Sequence, residues 1–188
     1  TGDPAIALLE IEKDIFWIGA WDGVWQLDIR TGKSKKLFVQ SVGGNIYDFV
    51  RIEDYVFISS TNQGFWVYNT KTSKLDHFAA DQEDSFGLKS NTITSFDQMR
   101  NGEIWIGTGN QGLTRLTLDT TKGEVNFLPL PEAVSMNKQT LIEDSRWIND
   151  IYEDKNGIIW FGTGNGLIRL DVVSGETQQW RQKDGLCN

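Results

Sequence analysis

The segment Glu103 to Leu116, EIWIGTGNQGLTRL, is the one on which the architecture turns. It reads as an apolar strand, a Gly-containing turn and a second strand. Its residues Gly107-Thr108-Gly109-Asn110-Gln111-Gly112 fit the G-x-G-x-x-G dinucleotide fingerprint letter for letter. That fingerprint requires a helix after the last glycine, because the pyrophosphate rests on the helix N-terminus. The next residues are Leu113-Thr114-Arg115-Leu116-Thr117-Leu118, rich in Thr and Leu and without a helix-capping residue, which predicts a strand. The segment also has sister copies in the chain, so it is one unit of a repeat.

Across the chain, four segments share the frame of apolar strand, short polar turn and second strand. Ile15 to Gly19 leads into Gly23 to Asp28, and Tyr55 to Ser59 into Gly64 to Asn69. Glu103 to Gly107 leads into Gly112 to Leu116, and Ile158 to Gly162 into Gly166 to Asp171. The aligned aromatics Trp17, Phe57, Trp105 and Trp160 are 40, 48 and 55 residues apart. An apolar strand precedes each unit: Ala5 to Ile11, Ile46 to Ile52, Ile93 to Met99, and Ile148 to Tyr152. A more polar strand comes after it: Ser34 to Val39, Lys74 to Phe78, Glu124 to Leu128, and Glu176 to Arg181. Turn residues such as Asn101-Gly102, Asn156-Gly157, Gly32 and Gly175 separate them. Four short antiparallel strands at this period predict an all-β propeller of four blades, over about 5–40, 46–79, 93–129 and 148–182, in one partial propeller spanning 1–188. Blades packed face to face cover their inner strands on both sides, which accounts for the unbroken apolar runs Ile104-Trp105-Ile106 and Ile159-Trp160-Phe161. Trp17, Trp105 and Trp160 are expected between blades, as are Trp25 and Trp66, with Trp180 partly exposed.

Composition fits a packed domain. The 188 residues are 39% hydrophobic and 12% aromatic with eight Trp, too apolar for a disordered chain. A net charge of −8 argues against nucleic acid or an anionic membrane surface as partner. No apolar run is long enough for a membrane helix, so any membrane contact is expected only through segments outside this chain. Cys187 is the single cysteine, which excludes an internal disulfide.

The repeated frame of Ile-x-x-Ile, an Asp/Asn-Gly turn, Ile-Trp-Ile-Gly-Thr, Gly-Leu and Arg-Leu resembles the two-component regulator propeller repeat, best over Ile93 to Leu116 and Ile148 to Asp171. Asp84 to Asn91 and Asp184 to Asn188 look like the lead-in to a following repeat. Ser59-Ser60 and Gly19-Ala20 depart from the Gly-Thr of the pattern. The resemblance implies a non-catalytic, periplasmic sensor region of a bacterial signalling protein such as a hybrid histidine kinase or a diguanylate cyclase. It implies rings of the seven-bladed type, of which four blades are a part, and in many members a carbohydrate cue. A four-blade arc would leave an apolar face at each end, so self-association through these faces is the alternative expectation.

Candidate sites lie where the copies differ. The turns between second and third strands, and the long connections near Ala79 to Thr92 and Leu130 to Trp147, fall on one face of a propeller, where binding loops are usually carried. That face gathers Trp21, Asp22, Asn62, Gln63, Asn110, Gln111, Arg146, Trp147 and Asn165, with Asp81, Asp84 and His77 nearby. Aromatic platforms beside amides and carboxylates suit a small carbohydrate, stacking its apolar ring face and bonding its hydroxyls. Against this, Asn and Gln also serve turns that adopt left-handed backbone. Trp21 has no such turn role. No catalytic residue, cofactor or metal site is expected: His77 is the single His, and Asp81-Gln82-Glu83-Asp84 misses the calcium-loop pattern. Thr31-Gly32-Lys33-Ser34 imitates the end of a P-loop, but Leu27 stands where its first Gly must be.

Overall fold

A computed structural model of the chain describes residues 4–38, 42–81, 83, 87–132 and 147–186. Sixteen strands among them form four separate four-stranded sheets, each a simple antiparallel meander. Blade 1 comprises β1 (Ala5–Glu12), β2 (Ile15–Ala20), β3 (Gly23–Asp28) and β4 (Lys33–Leu37). Blade 2 comprises β5 (Phe49–Ile52), β6 (Tyr55–Ser59), β7 (Phe65–Asn69) and β8 (Leu75–Phe78). Blade 3 has β9 (Ile93–Gln98), β10 (Ile104–Thr108), β11 (Leu113–Asp119) and β12 (Glu124–Leu128). Blade 4 has β13 (Ile148–Glu153), β14 (Ile158–Thr163), β15 (Gly166–Asp171) and β16 (Thr177–Trp180). The chain is an all-β propeller arc, and the G-x-G-x-x-G stretch is the hairpin β10–β11, with Trp105 opposite Arg115.

One local device recurs in every blade. The third strand ends in Asp28, Asn69, Asp119 or Asp171, and its Oδ1 accepts two backbone N–H groups of the adjoining turn. Such a side chain stands in for the turn's missing backbone partner, so the third and fourth strands meet in a fixed register. Exposed β4, rich in Lys, then closes the outer edge as a charged edge strand should.

Blades pack through three apolar cores. Trp17, Val24, Val42 and Ile11 of the first blade meet Ile46, Val56, Ile58 and Trp66 of the second. Phe57, Phe65 and Val67 of blade 2 meet Phe96, Ile104, Ile106 and Leu116 of blade 3. Trp105 and Met99 of blade 3 meet Ile148, Ile151, Ile159, Phe161, Ile168 and Leu170 of blade 4. Each blade thus has a leading face, turned towards the blade before it, and a trailing face, turned towards the blade after it. Alternation along each strand assigns them: Ile104 and Ile106 lead, Trp105 trails. Among the described residues no core joins blade 4 to blade 1.

Close approach at the trailing face explains one repeated glycine. A Cβ on Gly107 would stand 2.4 Å from Ser95 Oγ and 2.8 Å from Ile148 of the next blade. At Gly19 it would stand 2.8 Å from the Ile46 carbonyl. Blade 2 departs from the pattern here, and its structure changes accordingly. Ser59 Oγ accepts the Tyr47 and Asp48 N–H groups at 3.0 and 2.7 Å. The hydroxyl takes over part of the ladder, so β5 begins at Phe49 rather than at Ile46 as the sequence predicts.

Two expectations about the tryptophans are corrected. Trp17 and Trp105 are buried at 4% and 1% exposure, but Trp160 is only half-buried. It lies on the trailing face of blade 4, where no described blade covers it, and stacks on Trp180 instead at 5.7 Å between centroids. Trp25 is likewise half-buried on the leading face of blade 1, whereas its counterpart Trp66 is buried between blades 1 and 2. Part of the lead-in after the fourth repeat forms a 3-10 turn, Gln182–Asp184, ended by Gly185 in the left-handed conformation.

Candidate binding face and blade junctions

The turns between second and third strands do share a face with the inter-blade connections. Backbone bonds tie them together: Thr61 N–H to the Asn45 carbonyl, Gly64 N–H to Asn91, Gly109 N–H to Thr92, and Gly164 N–H to Trp147. Two tryptophans crown this face. Trp21 sits at the tip of the two-residue turn between Ala20 and Gly23 and is 55% exposed, the largest exposure of any Trp among the described residues. Trp147 is 43% exposed and leans over the blade 3 turn, its ring edge 3.0 Å from where a Gly109 Cβ would stand.

The polar candidates divide. Asn110, Gln111 and Asn165 are exposed. Their turns are held by neighbouring threonines: Gln111 N–H donates to Thr108 Oγ1, and Asn165 N–H to Thr163 Oγ1. Asn62 is exposed with φ of 69°, so its place in the turn is met by left-handed backbone. Gln63 Oε1 accepts the Gly43 N–H at 3.2 Å. Asp22 is held inside blade 1, accepting the Trp25 indole N–H at 2.8 Å and Lys36 Nζ at 2.7 Å. The Lys36 and Trp25 bonds hold its carboxyl below the usual range. His77 lies on β8, stacks on Trp66 at 4.6 Å and places Nε2 2.6 Å from the Gln63 carbonyl. Arg146 and Asp84 fall outside the described residues.

A second set of polar groups, not anticipated from the sequence, lies on the inner strands. Asp48 Oδ1 accepts its own neighbour's N–H, from Phe49, at 2.8 Å. Its Oδ2 reaches across to blade 3 and accepts the Phe96 N–H at 2.7 Å. Asp97 Oδ2 does the same one junction on, accepting the Glu153 N–H of blade 4 at 3.1 Å. Other groups staple the junctions too: Arg51 Nη1 of blade 2 donates to the Ile11 carbonyl of blade 1 at 2.6 Å, and Thr94 Oγ1 of blade 3 to the Ile148 carbonyl of blade 4. Burial pushes the Asp48 carboxyl up to about 6, with Asp150 and Asp97 adding repulsion. Asp97 is raised for the same reasons, burial first. The signal for these residues was an acid inside an otherwise apolar first strand. Among the described residues no group of three His, Cys, Asp or Glu is placed to hold a metal ion.

Comparison with known proteins bears on the fourth blade. Residues 142–165, which run through β13 and β14 into the turn before β15, match the two-component regulator propeller description. This segment is similar to a regulator propeller repeat. Its Trp160, Gly162 and Thr163 occupy the places of Trp105, Gly107 and Thr108, so the matched repeat and the hairpin of blade 3 are one structural unit. No curated protein matches the chain. Among solved structures, the arc is similar to the extracellular domain of the hybrid two-component system BT3049 of B. thetaiotaomicron, at 16% identity and a TM-score of 0.75, covering 96% of this chain and 25% of that one. It is also similar to the extracellular domain of the one-component system BT4673 of the same organism, at 21% identity and a TM-score of 0.69, covering 93% and 22%. The chain therefore spans a quarter or less of those extracellular domains. The computationally designed Ika4 protein, 92% of which is covered, fits less closely at a TM-score of 0.56 and 16% identity.

Proposed function

We propose that this chain is a section of the non-catalytic sensor propeller of a bacterial signalling protein, held outside the cytoplasm, and that its loop face receives a small carbohydrate. The observation carrying this reading is the match to a regulator propeller repeat at 142–165, within an arc whose loop face displays the exposed rings Trp21 and Trp147. An exposed indole at a rigid hairpin tip costs apolar hydration and gains no internal packing, which suits a residue held for a ligand. The flat apolar face of a sugar stacks on such a ring, while Asn110, Gln111 and Asn165 offer amide donors and acceptors at neighbouring turns. The extracellular setting of the similar structures supports a periplasmic location. Occupancy of the loop face would bias how blades dock and pass that bias to a kinase or cyclase output domain beyond the membrane.

Titration calorimetry of the complete sensor against a panel of oligosaccharides tests the reading. A sugar that binds is expected to lose about tenfold or more in affinity on Trp21→Ala or Trp147→Ala, a stacking contribution of about 1.5 kcal/mol. Silence across the panel, or binding indifferent to both substitutions, would count against it.

A further inference from the structure

The first strands of successive blades adjoin one another on the inner side of the arc, and three blades carry a carboxylate there. Asp48 stands at the head of β5, Asp97 lies on β9 and Asp150 on β13. Two of these acids reach across a junction. Asp48 Oδ2 accepts the Phe96 N–H of blade 3 at 2.7 Å, and Asp97 Oδ2 accepts the Glu153 N–H of blade 4 at 3.1 Å. Both junctions lie inside the arc, so these bonds stand whatever adjoins blade 1 or blade 4.

No base answers the acids. Asp97 and Asp150 are turned towards Asp48, and Asp150 and Glu153 towards Asp97. From β6, Ser59 presents a hydroxyl, which accepts the Asp48 N–H at 2.7 Å. Arg51 of β5 points the other way, to the Ile11 carbonyl of blade 1, and Glu153 Oε2 accepts the Arg100 N–H at 2.6 Å. Among the described residues none of Asp48, Asp97 and Asp150 is in an ion pair. Burial and mutual repulsion both weigh against the charged form while the inner strands are together. A protonated carboxyl sheds that charge and keeps a carbonyl oxygen to accept a backbone N–H.

The junction between blades 1 and 2 is built without this element. The place that Asp48 holds in blade 2 and Asp150 in blade 4 is Ala7 in blade 1, and the place of Asp97 is Leu9. Arg51 and the Ile46 N–H, which donates to the Ala20 carbonyl at 3.0 Å, tie that junction instead, and neither changes its protonation near neutrality.

We infer that these carboxylates form a proton-operated seam, by which acid draws the inner strands of blades 2, 3 and 4 together and neutral pH loosens them, while the junction of blades 1 and 2 stays as it is. Asp48 leads the response: its carboxyl is pushed up to about 6, burial first, and burial raises Asp97 as well. A group that holds its proton more tightly in the closed junction favours closure below the ordinary carboxylate range, and that contribution is lost as pH rises through about 6. The seam uses no loop-face residue and holds whether or not a sugar binds there.

Hydrogen exchange of the 188-residue chain, corrected for the intrinsic effect of pH on exchange, reads the seam one junction at a time. The Phe96 amide should be about tenfold better protected at pH 5 than at pH 7.5. The Glu153 amide should move the same way, and the Ile46 amide should not move. Asp48→Asn keeps the shape and removes the titrating group, so it should abolish the change at Phe96. The repulsion is read separately, from the Asp48 carboxyl carbon by NMR. Its titration midpoint should move towards acid in Asp97→Asn and in Asp150→Asn, because each removes a repelling charge. A change of equal size at Ile46 would overturn the proposal, since the response would then belong to the whole chain. So would a response at Phe96 that survives Asp48→Asn, or a midpoint that neither of the other substitutions moves.

Discussion

At the scale of single residues, the inner-strand carboxylate Asp48 and the repeated glycine make separable predictions. The Asp48 carboxyl titrates near 6 in the fold against 3.8 for an unperturbed group, chiefly because it is buried and secondarily because Asp150 and Asp97 face it. A raised carboxyl contributes stability that is complete below about pH 4 and lost as pH rises through about 6. Thermal melts should therefore show the chain losing about 1–2 kcal/mol between pH 4 and pH 7 from this group, allowing for its half-buried setting. Asp48→Asn should flatten that slope; a slope that survives the substitution would assign it to other groups. Gly107 and Gly112 lie five residues apart but answer to different constraints. At Gly107 an added Cβ meets Ser95 and Ile148, so Gly107→Ala should cost about 1–3 kcal/mol through overpacking of the blade 3–4 junction. At Gly112 the Cβ would meet nothing within 4 Å, and the cost is the backbone strain at φ of 73°, about 1–2 kcal/mol. Repairing only the first by Ser95→Gly in a double mutant cycle would separate crowding from strain.

At the scale of elements, the strands were legible because each repeat restates them. The repeated aromatic frame, Gly-bearing turns and more polar fourth strands placed all sixteen strands within a few residues, and the turn logic made a hairpin of the apparent phosphate cradle at 107–112. What the letters could not carry is which neighbour covers a given face. Trp105 and Trp160 are the same residue at the same repeat position, yet Trp105 is buried by Phe161 and Trp160 stands half open. The junction carboxylates were hidden for a related reason: Asp48, Ser95 and Asp150 share a position and Asp97 lies two residues on, so the acid recurs by geometry and not by alignment. On the loop face, exposure of Trp21 followed from its turn being unlike its sisters, whereas the capture of Asp22 by Trp25 and Lys36 depended on cross-strand packing invisible to a linear reading. The contrast between the two tryptophans is itself testable. Trp105→Ala should cost about 3–5 kcal/mol in denaturant melts of the dilute chain. Trp160→Ala should cost under about 1 kcal/mol there, since the ring has no second blade to lose. Equal costs would mean that blade 4 is covered in solution even when dilute.

At the scale of the whole molecule, the arc is a one-dimensional stack, so its stability is set by nearest-neighbour contacts more than by any single core. Blades 2 and 3 have both faces covered, whereas blades 1 and 4 each have one. Local opening should follow the same order, because a blade with one junction has fewer apolar contacts to break before its ladder parts. Native-state hydrogen exchange on the dilute chain should find the slowest amides in β6 and β10. Those of β2 and β14, central strands of the end blades, should exchange about tenfold faster or more, equivalent to about 1.4 kcal/mol of missing junction. Protection uniform across all four blades would instead mean that the arc opens as a single unit.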